Sequence, residues 1–149
     1  NLPDRFQLEY TNDKGNKEQP VMIHIAVAGS IERFMSVIIE HYAGAFPVWL
    51  SPVQVAVITV GKAHRKHAKK LHQLFADAGI RSELNDSNDT VGYKIRAATK
   101  QKIPYMLVIG DKEAKSTKLH VRLRGNKDIK QMSVSVFIKQ VTEEIAKRK

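Results

Sequence analysis

Two stretches of the chain carry apolar residues almost without a polar break. Val53 to Val60 (VQVAVITV) and Tyr105 to Ile109 (YMLVI) are short and rich in β-branched side chains. Such runs read as strands buried on both faces. Lys118 to Arg124 (KLHVRLR) alternates instead, with Leu119, Val121 and Leu123 on one side and His120, Arg122 and Arg124 on the other. That is the period of a strand with one covered face, placed here at a sheet edge. Between these runs the spacing becomes helical. Ala68, Leu71, Leu74, Phe75 and Ala78 share a face, and Gly79 supplies a stop. Val91, Ile95 and Ala98 mark a second helix that ends before Pro104, and Val134, Phe137, Ile138, Val141 and Ile145 a third. Ile80 to Leu84 fits a short strand. The order strand, helix, strand, helix, strand, strand, helix predicts an α/β fold, with a mixed, mainly parallel sheet flanked by helices.

The first fifty residues follow another pattern. Residues 6–10 alternate, TNDKGNKEQ is turn chemistry, and PVMIHIAVA reads as a further strand, so a hairpin with a long loop is expected. From Ser30, a fitting N-cap, the apolar positions Ile31, Phe34, Met35, Ile38, Ile39 and Tyr42 recur at helical spacing up to Gly44. FPVWLSP, with two prolines, is a stiff connector. The expected division is therefore 1–50 and 51–149.

Charge sharpens that division. Residues 1–52 hold four Lys/Arg and six Asp/Glu, a balance of −2, whereas residues 53–149 hold 21 and nine, a balance of +12. A basic surplus confined to one domain attracts polyanions, nucleic acid above all. No cysteine is present, which excludes disulfides and thiolate chemistry and fits a reducing compartment such as the cytoplasm. No apolar run has the length of a membrane span. The chain opens Asn-Leu-Pro-Asp without Met, so a fragment or processed chain is expected.

Candidate chemistry is sparse when residues are read alone. AHRKHAKKLH carries three histidines and four cations, and a helix face touching phosphate or solvent suits it better than a metal site. His24, in an apolar run, reads as a core histidine. The polar side of KLHVRLRG beside GDKE offers guanidiniums and a carboxylate suited to base edges, yet charged strand faces are common as plain solvated surface, and residue types alone favour the latter. No P-loop, GxGxxG, HExxH or Ser–His–Asp arrangement occurs.

Five motifs in order change the weighting: PVMIHIAVAGSIERF, HYAGAFPVWLSPVQV, DTVGYKIR, IPYMLVIGDKE and VRLRG. Together they resemble the C-terminal part of the threonyl-tRNA synthetases, a class II aminoacyl-tRNA synthetase family, over essentially the whole chain. The resemblance implies that 1–50 is the end of the catalytic antiparallel-sheet domain, with its third motif, and that 51–149 is the anticodon-binding domain. It implies an ATP-dependent threonine–tRNA ligase as parent, with Arg33 of GSIERF on the ATP phosphates and His24 as one of three ligands of a catalytic zinc. It makes Asn88, Glu113 and Arg122 readers of unpaired anticodon bases, so that the charged strand face becomes functional. One departure is Ile25, where the family usually has Arg. The other two zinc ligands and most of the pocket lie outside this sequence, so the segment is expected to bind tRNA without holding ATP or zinc and without aminoacylating. The parent is expected as a homodimer, and the segment as a monomer. The rival expectation is a non-enzymatic RNA-binding or regulatory protein reusing the fold.

Overall fold

Where apolar runs cannot be covered by solvent they pair side by side, and the second half of the chain is organised around that. The computed structural model describes residues 1–116, 118–126 and 128–148. They divide into two units, Asn1–Ser36 and Val37–Lys149.

The larger unit holds five strands: β3 (Val55–Thr59), β4 (Ser82–Asn85), β5 (Tyr105–Ile109), β6 (Lys118–Leu123) and β7 (Ile129–Ser133). Their order is β4-β3-β5-β6-β7. The β3 strand pairs in parallel with β4 and β5, whereas β6 runs antiparallel to both β5 and β7. The sheet is mixed, with two parallel and two antiparallel ladders. The extra antiparallel ladder comes from β7, which the residue pattern does not reveal: Ile129 to Gln131 are exposed and carry no alternation. Consequently β6 is an interior strand rather than an edge.

Three helices cover the sheet: α3 (Arg65–Asp77), α4 (Val91–Lys100) and α6 (Val134–Ala146). The period-2 rule places Val55, Val57, Tyr105, Leu107, Leu119 and Val121 on one face, where Leu71 and Phe75 of α3 and Phe137 and Val141 of α6 bury them. The ring of Phe137 meets Phe75 and Tyr105 edge-on, with centroids 5.6 and 5.3 Å apart. Ala56, Ile58 and Met106 face the other way, under Ala98 of α4 and Ile103. Leu74, expected on the apolar face of α3, is instead 48% exposed.

Ends are closed by local chemistry. Gly79 adopts φ +74°, and the amides of Gly79 and Ile80 return to the carbonyls of Ala76 and Phe75 at 2.9 and 2.8 Å. That is the Schellman closure, with Phe75 and Ile80 both buried against one another's side of the core. Thr90 and Ser133 cap α4 and α6 by accepting from the amides of Tyr93 and Val136. The proline-rich connector is fixed by Gln54, fully buried, whose Nε2 donates to the Val48 carbonyl at 2.8 Å.

The smaller unit departs from expectation. Leu2–Arg5 is a short helix (α1), so the strand expected from residue 6 shrinks to Tyr10–Thr11 (β1), which pairs antiparallel with Lys17–Glu18 (β2). The strand expected over residues 20–28 does not form. Val21, Ile23, Ile25 and Val27 are 91, 81, 73 and 96% exposed. An apolar run becomes a strand only when a neighbour takes up its backbone hydrogen bonds, and no described strand lies beside this one. The helix over Ile31–Tyr42 (α2) forms as its spacing predicts. No helix among the described residues is long and apolar enough to cross a membrane.

Candidate nucleic-acid interface

Parallel strands deliver their C-terminal ends to one side of a sheet, the usual place for ligands in α/β folds. Here β3, β4 and β5 end together, and three segments follow them: Gly61–His64, the loop 86–90, and the short helix α5 (Asp111–Ala114). His64, 8% exposed, places Nε2 3.0 Å from Asp111 Oδ1. That hydrogen bond and the histidine's charge hold the Asp111 carboxyl below its ordinary value. Lys94 is buried, and its Nζ donates to the Thr59 carbonyl at 3.0 Å, which ties α4 to the end of β3. Its presence among the apolar positions Val91, Ile95 and Ala98 was the sequence signal for an internal role.

Glu113 lies in α5, just past the end of β5. Its Oε2 accepts from the Gly110 amide at 3.0 Å, and its Oε1 is hydrogen-bonded by His120 Nδ1. A carboxylate only accepts, so this contact places a proton on Nδ1. The Glu113 side chain is 12% exposed and that of His120 35%. Burial pushes the Glu113 carboxyl up, but the bonds from its own amide, Gly110 and His120 outweigh this and leave it lowered. Arg122, two residues after His120, lies on the same face of β6, opposite Met106 of β5 and Ile129 of β7. It borders a shallow hollow with Ile95, Thr99, Met106 and Arg124, and forms no side-chain hydrogen bond or ion pair to another described residue. Glu113 and Arg122 therefore belong to one surface, joined by His120.

Asn88 lies in the exposed loop after β4. It shares the C-terminal end of the sheet with Glu113 but follows β4, which is separated from β5 by β3. Its Oδ1 lies 3.4 Å from Arg65 Nη2. Arg65 and His120 touch two of the expected base readers; residue types placed Arg65 only on a basic helix face and His120 only on a polar strand side, and neither contact was legible in the sequence.

Arg33 and His24 belong to the smaller unit. Both are exposed, and Arg33 is tied only through its backbone, its amide to Ser30 Oγ at 3.4 Å and its carbonyl to Ser36 Oγ at 2.8 Å. Ser30 also bonds Glu32 and lowers its carboxyl. Among the described residues no three of His, Cys, Asp or Glu gather as a metal site. His24 alone does not fit a catalytic zinc, and no step is assigned to one.

A family model described as the anticodon binding domain matches residues 54–144. The threonine–tRNA ligase of Carboxydothermus hydrogenoformans is 50% identical over 99% of the chain, and that of Lawsonia intracellularis 51% over 94%. The chain spans 23 and 22% of those proteins' lengths. In structure the chain is similar to the RNA binding domain of threonyl-tRNA synthetase from Cryptosporidium parvum, with TM-score 0.75 and 33% identity over 95% of this chain and 36% of that one. Prolyl-tRNA synthetase from the same organism shares the fold, with TM-score 0.67 and 18% identity over 98% of this chain and 32% of that one.

Proposed function

The chain belongs to the anticodon-binding-domain family, and from that premise we propose that it is the anticodon-reading portion of a threonine–tRNA ligase. One observation carries the reading: a carboxylate and a guanidinium, Glu113 and Arg122, open onto one face through His120. Anticodon bases are unpaired, so their Watson–Crick edges can be splayed onto such a surface. Arg122 supplies a planar pair of donors for a base oxygen or ring nitrogen. Glu113 keeps lone pairs for a base amino group, beyond those held by Gly110 and His120. Asn88 adds a carboxamide at the neighbouring loop. The exposed Lys62, Lys66, Lys69 and Lys70 around the start of α3 supply the phosphate attraction.

The whole ligase would join threonine to its tRNA at the expense of ATP, as a cytoplasmic homodimer. In it residues 1–50 would complete the catalytic domain, Arg33 would meet the triphosphate, and His24 would be one zinc ligand. The segment alone would bind tRNA without activating threonine. A non-enzymatic RNA-binding protein reusing the fold is not favoured, since the relatives matched over nearly the whole chain are ligases by name. Filter binding of the 149-residue chain to threonine tRNA and its anticodon variants tests the reading. Stronger retention of the native anticodon is expected; equal retention of every variant defeats it.

A further inference from the structure

Arg65 opens α3, and the loop after β4 comes back over it. Its Nη2 donates to the Asp86 carbonyl at 2.6 Å and to Asn88 Oδ1 at 3.4 Å. Its Nε lies 3.6 Å from Asp86 Oδ2, an ion pair beyond hydrogen-bond reach. That Nε is shut off from solvent with no hydrogen-bond partner among the described residues. The two side chains of the ion pair are 36 and 37% exposed. The guanidinium is thus held to the loop by two hydrogen bonds and an ion pair, unlike the lysines beside it, which are exposed.

The chemistry of the pair sets the orientation of Asn88. Arginine only donates, so the carboxamide must turn its oxygen toward Arg65. The amino group then faces away from the clamp, in a loop whose Asn88 is exposed. A carboxamide held this way offers donors to a ligand while its acceptor is already engaged.

We propose that Arg65 is a positioning residue that clamps residues 86–88 and makes Asn88 present its amino group to a hydrogen-bond acceptor, a carbonyl oxygen or ring nitrogen, on a tRNA base. This rests on the reading of Asn88 as an anticodon contact. The clamp selects which base edge Asn88 accepts, because a base amino group meeting the same position would find donor against donor.

Two measurements on the 149-residue chain test it. In the free protein, Arg65→Ala is expected to move the Asn88 side-chain amide resonances. If they stay in place, the clamp does not exist. With anticodon stem-loops of threonine tRNA and their single-base variants, Arg65→Ala should weaken the native loop about five- to tenfold, the scale of one neutral hydrogen bond. It should spare the variant altered at the base that Asn88→Ala also ceases to distinguish. The double variant should be no weaker than the worse single one. Asn88→Asp should lose at least as much as Asn88→Ala, although aspartate would still pair with Arg65, and Arg65→Lys should recover part of the discrimination. If Arg65→Ala instead weakens every loop equally and flattens the salt dependence, Arg65 is a phosphate contact and the proposal falls. If Asn88→Ala leaves all base preferences intact, the anticodon role of Asn88 falls, and the base-selection half of the proposal with it.

Discussion

Gln54 shows how one buried polar side chain joins distant pieces of the chain. Its Nε2 donates to Val48 and its Oε1 accepts from the Arg81 amide at 2.9 Å, with no exposure to solvent. Gln54→Leu keeps the volume but strands the buried Val48 carbonyl and the part-buried Arg81 amide. A loss of about 2–5 kcal/mol is expected, the sum for two such groups, and denaturant unfolding would measure it. Glu113 is the titrating counterpart. Its carboxyl sits below the ordinary 4.5 in the folded chain. The stability it adds is therefore complete above that value and is lost as pH falls through the lower, folded value. Glu113→Gln should lose less stability than the parent between about pH 5 and pH 3, because the amide does not titrate. Equal losses in the two proteins would show that this carboxylate is not held in the fold.

At the scale of elements, local closures decide where helices stop and how they meet the sheet. The turn at Gly79 works because glycine accepts φ +74° and nothing lies within 4 Å of the place a Cβ would occupy. Gly79→Ala meets no clash and still forces a left-handed backbone on an L-residue. About 1–2 kcal/mol of destabilisation is expected, read as a lower urea midpoint with an unchanged slope. A neutral result would mean that the closure relaxes to another turn. The strands illustrate the converse. The near-continuous runs at β3 and β5 were legible because both faces are buried. The strand β7 was not, since an exposed outer strand needs no apolar alternation once β6 supplies its hydrogen bonds.

For the molecule as a whole, charge and topology act together. The surplus of +12 in residues 53–149 predicts tRNA binding that weakens with salt. Three phosphate contacts alone would give roughly a twenty- to fortyfold loss between 50 and 200 mM salt. Filter binding across that range would measure it, and a flat response would leave base contacts as the sole source of affinity. The sequence by itself determined the α/β class, the three long covering helices of the larger unit, the buried central strands and the basic bias. Each of these depends on periodicity or composition, which are local properties. Motif resemblance singled out Asn88, Glu113 and Arg122. Tertiary structure decided what those side chains touch: Glu113 with Gly110 and His120, Asn88 with Arg65, Arg122 beside a hollow under α4. It also decided that residues 20–28 form no strand, although their pattern is that of one. For the Asn88–Arg65 contact and for the unpaired run the reason is the same. A hydrogen bond between residues far apart along the chain, or a strand that needs a neighbour, exists only once the fold has brought the partner alongside.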